Sequence, residues 1–401
     1  MTDTLLSLRE LSLARPPGRP FDPPEELSRL RGEHPLARVA YPDGHLGWLA
    51  TGHAVVRAVL ADPRFSSRPE IMHLPFPGGP GPGEFPPTAP GMFIRTDPPE
   101  HTRYRRLLAG KFTVRRMRLL TERIERVTAE HLDAMERSGP PADLVRAYAA
   151  PIPALMICEL LGVPSERHEH FRRLSLTFND HAATAEEVGA AEAELGAFLS
   201  ELVAAKRAAP ADDVLGELAG EDLTAEELTN IALLLLGAGL DTTANMIGLG
   251  VFALLEHPGP LAALRADPGL ADRAVEELLR YLSILHTGTR TALEDVEVGG
   301  RQVKAGESVT VSIQAANRDP ERFPDPDVLD LGREPGGHVS FGHGAHQCLG
   351  QQLARVQLRI ALPALLTRFP SLRLAVPAGE VPLRTGSDVY GVERLPVAWE
   401  V

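Results

Sequence analysis

Phe341-Gly342-His343-Gly344-Ala345-His346-Gln347-Cys348-Leu349-Gly350 is the stretch on which the reading of this chain turns. Three glycines surround one cysteine. Behind it Leu349, Leu353, Val356 and Ile360 recur at the spacing of one helix face, and the helical pattern runs from about Cys348 to Phe369. A thiol at a helix start faces the positive end of the dipole and unpaired N–H groups, so its pKa falls and the thiolate is favoured. Three chemistries use such a group. Zinc would draw on His343, His346 and Cys348, a very tight spacing with no second cysteine beside it. A nucleophile would need a base and an oxyanion hole, and sequence alone does not place His346 for that work. A lone thiolate in a glycine-rich loop suits an iron whose other positions are filled by a macrocycle.

Upstream stands a second unusual segment. Thr224-x-x-Glu227 has capping-box spacing and opens a helix that runs to His257-Pro258. From Ile231 to Leu255 it is apolar on nearly every side, the pattern of a core helix. Its middle, Gly237-Ala238-Gly239-Leu240-Asp241-Thr242-Thr243, is a weak point: two glycines cost about 2 kcal/mol against alanine. A threonine hydroxyl there can bond its own i−4 carbonyl, and small residues let a bulky group or another helix approach. Asp241 needs a partner or a task amid so much apolar helix.

Around these segments the pattern is mainly α with small β-sheets. LARVAYP and LGWLAT read as strands and HAVVRAVLADP as a helix. Helical periodicity dominates from Glu100 for almost two hundred residues, and short strands return from Thr291 with Gly-Gly and Ala-Gly turns. No repeat and no βαβ alternation occurs, which excludes a doubly wound sheet or a TIM barrel. Pro75 to Pro90, PFPGGPGPGEFPPTAP, is irregular backbone and a lid candidate. No linker divides the chain, so one domain over 1–401 is expected.

Composition sets the class. The 401 residues are 43% hydrophobic with a net charge of −13, ordinary for a globule and unfavourable for nucleic acid or an anionic membrane as partner. Two cysteines cannot build a disulfide scaffold, and the N-terminus shows no basic head with an apolar run behind it, so a soluble cytoplasmic protein is expected. The richest apolar run, Ile231 to Leu240, falls short of the roughly 20 residues of a membrane span. Only Lys111, Lys206 and Lys304 are lysines, so arginine is the default cation here and is not by itself a sign of an anion site.

The motifs together resemble the cytochrome P450 family. FGHGAHQCLG matches its haem-binding signature at every fixed position, Ala238 to Thr243 its oxygen-binding helix motif, and Glu277-Leu-Leu-Arg280 its Glu-x-x-Arg motif, in order and across nearly the whole chain. The resemblance implies the cytochrome P450 fold, with haem b between the long oxygen-binding helix and the Cys-loop helix. It implies that Cys348 is the axial iron ligand, with Phe341, Gly342, His346 and Gly350 of the signature and Ala238 beside the cofactor. His101, Arg105, Arg290 and His346 would hold the haem propionates. Asp241 and Thr242 would handle protons during oxygen activation. Glu277 and Arg280, with Arg322, would form a structural ion-pair triad. His343 fills a variable position, and Cys158 reads as core. Phe93, Leu234, Ala238, Leu285, His286, Thr287 and the tail turn at Asp388-Val389 would line the substrate pocket, with His286 where an apolar residue is more usual.

Between His101 and Arg118 stand seven Arg or Lys and no Asp or Glu, a basic face suited to an acidic ferredoxin. No flavin or nicotinamide fingerprint appears, so ferredoxin and ferredoxin reductase with NAD(P)H are implied as partners. The expected activity is oxygen insertion from O2 into a hydrophobic small molecule, by hydroxylation or epoxidation, in secondary metabolism. Rivals are oxidative coupling, desaturation or peroxide-driven oxidation on the same fold, and a non-catalytic haem sensor or electron carrier.

Overall fold

The computed structural model describes residues 6–8, 15–111, 114–178, 184–385 and 389–401, which fall into two compact units. The first comprises Met1–Thr88, Ile94–His101 and Asp272–Leu349; the second comprises Ala89–Phe93, Thr102–Ala271 and Gly350–Val401.

Strand-forming residues from both ends of the first unit share one six-stranded sheet. Leu36–Ala40 and Leu46–Ala50 form a hairpin; the latter pairs in parallel with Ser308–Ser312, which continues antiparallel to Thr287–Ala292 and then Phe65–Ser66. The N-terminal strands and the strand Ser308–Ser312 thus share this sheet, joined at Trp48 opposite Val309, while Val296–Val298 and Arg301–Val303 pair by themselves. Helix His53–Ala61 buries Val56 and Val59 with Trp48, Val309 and Val311, and Asp319 Oδ2 accepts the His53 N–H at 2.8 Å at its N-terminus. Gly299 and Gly300 sit at φ +56° and +69° between Val296–Val298 and Arg301–Val303, the two left-handed positions that a tight hairpin turn requires.

The Pro-Gly loop is irregular, as its composition dictates, yet its neck is closed. Glu70 Oε1 accepts the Thr88 N–H at 3.0 Å and the Thr88 hydroxyl at 2.9 Å, and the Glu70 carbonyl accepts the Gly83 N–H at 2.8 Å.

The Glu-x-x-Arg pair is buried at the end of helix Ala271–Leu282. Arg280 makes two 2.8 Å bonds to the Glu277 carboxylate and donates to the carbonyls of Asn317 and Pro326. The third member differs from expectation. Arg333, not Arg322, lies 3.1 Å from Glu277, while the Arg322 guanidinium sits over the Phe323 ring. A turn from Pro324 to Asp330 carries the chain back so that Asp330 N–H also reaches Glu277, which brings the later arginine into range.

The second unit is helical. Its axis is Ala225–Glu256, packed on Pro151–Leu161, Ala185–Ala208 and Gln351–Arg368. The Thr224–Glu227 capping box is formed in both directions. Burial pushes the Glu227 carboxyl up, but Arg103, the Thr224 N–H and Tyr104 outweigh it and hold the pKa at about 2. By length and composition this helix is apolar enough to cross a membrane, although 56% of its most apolar window is buried inside the protein. Gly239 lets the helix close on Pro151–Leu161: a Cβ there would lie 2.6 Å from Ile157 Cδ1. Cys158 is fully buried, and burial pushes its thiol up to about 12, the property of a core residue.

Candidate active site

In the first unit the cysteine loop is a closed hairpin. Cys348 N–H donates to the Phe341 carbonyl at 2.8 Å, Gln347 N–H to Gly344 at 3.1 Å, and a single 3₁₀ turn spans Gly344–His346. Gly342 and Gly344 take φ of +68° and +75°. At Gly344 a Cβ would also fall 2.5 Å from the Leu60 carbonyl oxygen, so glycine is what seats the hairpin on helix His53–Ala61. Gly344→Ala is therefore expected to cost about 2–3 kcal/mol and to lower the yield of haem-loaded protein, measured as the Soret-to-280 nm ratio after purification. The Cys348 side chain is exposed, and its following helix starts at Gln351 with Gly350 as N-cap, later than the sequence pattern suggested. His343 Nε2 is 3.2 Å from Arg57, and among the described residues no three His, Cys, Asp or Glu are arranged to hold a metal ion. That arrangement disfavours the zinc reading.

His101 and His346 face each other with ring centroids 4.0 Å apart. His346 Nε2 lies 3.0 Å from Ser67 Oγ, and His101 N–H donates to the Asp97 carbonyl at 3.0 Å. Arg290, on strand Thr287–Ala292, is half-buried and makes no ion pair among the described residues; burial lowers its guanidinium pKa against the pull of Asp97. Thr287 begins the same strand, the His286 carbonyl accepts the Ile313 N–H, and Leu285 is exposed.

In the second unit the long helix carries its polar pair on one turn. Thr242 Oγ1 donates to the Ala238 carbonyl at 2.7 Å, the i−4 bond its position allows. Asp241 has a partner that sequence reading missed: Arg384 Nη1 lies 2.7 Å from Oδ1, and Asn245 Nδ2 donates to the same oxygen at 3.0 Å. Arg384 is fixed in turn, its N–H donating to the Gly391 carbonyl, and Gly391 is so close to Asn245 that no Cβ fits. Ala238 is exposed at the centre of a core helix, Leu234 is half-buried one turn before it, and Val389 is half-buried; Asp388 lies outside the described residues. Arg105 is half-buried on helix Glu100–Ala109. Phe93 is 3% exposed, whereas its neighbour Ile94 is 49% exposed, so a side chain open to a ligand at this point is Ile94.

A model of the cytochrome P450 family matches residues 177–382. Cytochrome P450 105C1 of a Streptomyces species is 54% identical over 382 residues, 94% of this chain and 96% of its own. The chain belongs to the cytochrome P450 family. Pentalenic acid synthase of Streptomyces avermitilis is 45% identical over 385 residues, 95% of each chain. The crystal structure of CYP105P1 in complex with filipin I superposes with a TM-score of 0.88 at 41% identity, covering 99% of both chains. This P450 is accordingly an oxidoreductase, a monooxygenase whose prosthetic group is haem b.

The residues fit that group. Haem requires a donor to its iron and cations for two carboxylates; the first unit offers an exposed thiol on a glycine hairpin and a half-buried arginine that makes no ion pair among the described residues. The basic face of the P450 is narrower than its sequence suggests. Arg103 pairs with Glu227, Lys111 with Glu221, and Arg116 with Asp212 and Glu217, acidic residues a hundred positions away. Arg106 and Arg118 are exposed and make no ion pair among the described residues, while the Arg115 side chain is outside them.

Proposed function

We propose that this P450 inserts one atom of O2 into a C–H bond or alkene of a lipophilic secondary metabolite. Electrons come from NAD(P)H through ferredoxin reductase and ferredoxin, in the cytoplasm, and the 401 residues work as one catalytic domain. The observation that carries this reading is the Asp241–Thr242 pair, an ion-paired carboxylate beside a hydroxyl on the core helix. A sensor or electron carrier has no use for it. The apolar exposure of Leu285 and Ile94, and relatives named for pentalenic acid or solved with filipin I, support the substrate class.

Haem, when bound, supplies the iron at which O2 is reduced. Cys348 would hold that iron as its thiolate, its N–H tied to the Phe341 carbonyl; Phe341, Gly342 and Gly350 shape its loop, and Ala238 is exposed on the helix. His101, Arg105, Arg290 and His346 bind the two carboxylates. Thr242 holds a proton at Oγ1, and rotation away from the Ala238 carbonyl presents it to the reacting oxygen. Asp241 resupplies protons from solvent at Oδ1 and Oδ2, its charge kept in place by Arg384 and Asn245. Leu234, Leu285, His286, Thr287, Val389 and Ile94 would orient the substrate.

Thr242→Ala is expected to raise hydrogen peroxide released per NAD(P)H consumed and to cut product yield about a hundredfold, at the lower end of what a positioned proton donor contributes. Unchanged coupling would remove the proton role. Screening metabolites by the haem spin-state shift, followed by turnover under ¹⁸O2, tests the reaction itself: one labelled oxygen in the product is expected, and product without label would mean coupling or desaturation.

A further inference from the structure

A carboxylate stands where the cradle for two further carboxylates is expected. Asp97 Oδ2 accepts from Ser66 Oγ at 2.5 Å and lies 3.2 Å from Arg68 Nε, and Oδ1 accepts the Ser67 N–H at 3.0 Å. Ser67 Oγ, 3.4 Å from Oδ1, is also 3.0 Å from His346 Nε2. The backbone carbonyl of the same aspartate accepts the His101 N–H. One residue thus reaches both facing histidines, His101 through its main chain and His346 through Ser67. A bare negative charge here would repel an anionic ligand, but this one is met by a guanidinium, a hydroxyl and a peptide N–H.

We propose that Asp97 is a positioning residue of the haem-carboxylate cradle, holding His346 in register through Ser67 and fixing the start of the helix that carries His101. The proposal rests on the assignment of His346 to a haem carboxylate. Its role is geometric and electrostatic: it orients the imidazoles, and its charge opposes the burial that weighs on the Arg290 guanidinium.

The test uses the holoenzyme. Asp97→Asn, Ser67→Ala and His346→Ala are compared for haem transfer to excess apomyoglobin, for the midpoint potential of the iron, and for the urea midpoint of the haem-free protein. Asp97→Asn is expected to release haem about tenfold faster, the loss of one charge-assisted bond, and Ser67→Ala severalfold faster. Only Asp97→Asn should raise the midpoint potential, because removing a negative charge from the cradle favours the less positive ferrous state. Faster release in His346→Ala with unchanged release in the other two overturns the positioning role while leaving the carboxylate assignment intact. Unchanged release in His346→Ala overturns that assignment and the proposal with it. A lowered urea midpoint in Asp97→Asn with an unmoved potential also overturns the proposal, since Asp97 would then support only the fold.

Discussion

Cys348→Ala is expected to abolish the strongly red-shifted Soret band of the reduced carbon monoxide complex, and with it turnover. The hairpin is closed by the backbone groups of Phe341, Gly344, Gln347 and Cys348, so the side chain can be removed without opening the loop. What is lost is the thiolate donor, whose electron density promotes O–O cleavage. A fall of at least about 10³-fold in product formation is expected, equivalent to about 4 kcal/mol of barrier. Cys158→Ala, by contrast, should keep the band, since that thiol is buried with its pKa pushed up. Retention of the red-shifted band in Cys348→Ala would show that the iron is held elsewhere.

Glu277→Ala should have the second largest effect, on stability. The carboxylate is 3% exposed and serves Arg280 and Arg333, which are 2% and 11% exposed, as well as the Asp330 N–H. Its removal leaves a buried guanidinium that burial already pulls below its ordinary pKa, without the partner that opposed the pull. Breaking a buried pair from one side costs about 3–5 kcal/mol, comparable with the whole margin of many folded domains. Urea unfolding of Glu277→Ala should shift by that amount, with much of the protein recovered aggregated and haem-free. Glu277→Gln should recover part of the loss, because a neutral acceptor still meets the Asp330 N–H. A shift below 1 kcal/mol in Glu277→Ala would show that solvent reaches the arginines.

The axial motif, the capped core helix and the main run of helices were legible because each is local: a signature, a capping box and an apolar period lie within a few turns of chain. What was missed is long-range. The sheet joins Trp48 to Val309, and no strand announces its distant partner. Arg322 is nearer than Arg333 to the Glu-x-x-Arg helix in sequence, yet the turn after Pro324 brings the later residue home. Arg384 lies 143 residues from Asp241, so the need for a partner was readable and its identity was not. Arg103, Lys111 and Arg116 looked unopposed because their acidic partners lie about a hundred residues further on, between Asp212 and Glu227. Phe93 and Ile94 are adjacent apolar residues, and only the 3₁₀ turn decides which one is exposed.

The neck at Glu70 and Thr88 has a consequence for how such a molecule diversifies. Because the carboxylate ties both ends of the Pro-Gly loop, and Ile71 and His73 bond to Thr291 and Ser308 of the sheet, the residues between His73 and Thr88 form a replaceable cassette. Doubling the length of a closed loop costs only about 0.6 kcal/mol, so insertions or grafts between the tied ends leave the scaffold nearly undisturbed. A library confined to that cassette can vary its length and composition while the cysteine hairpin, carried on another segment, stays as it is.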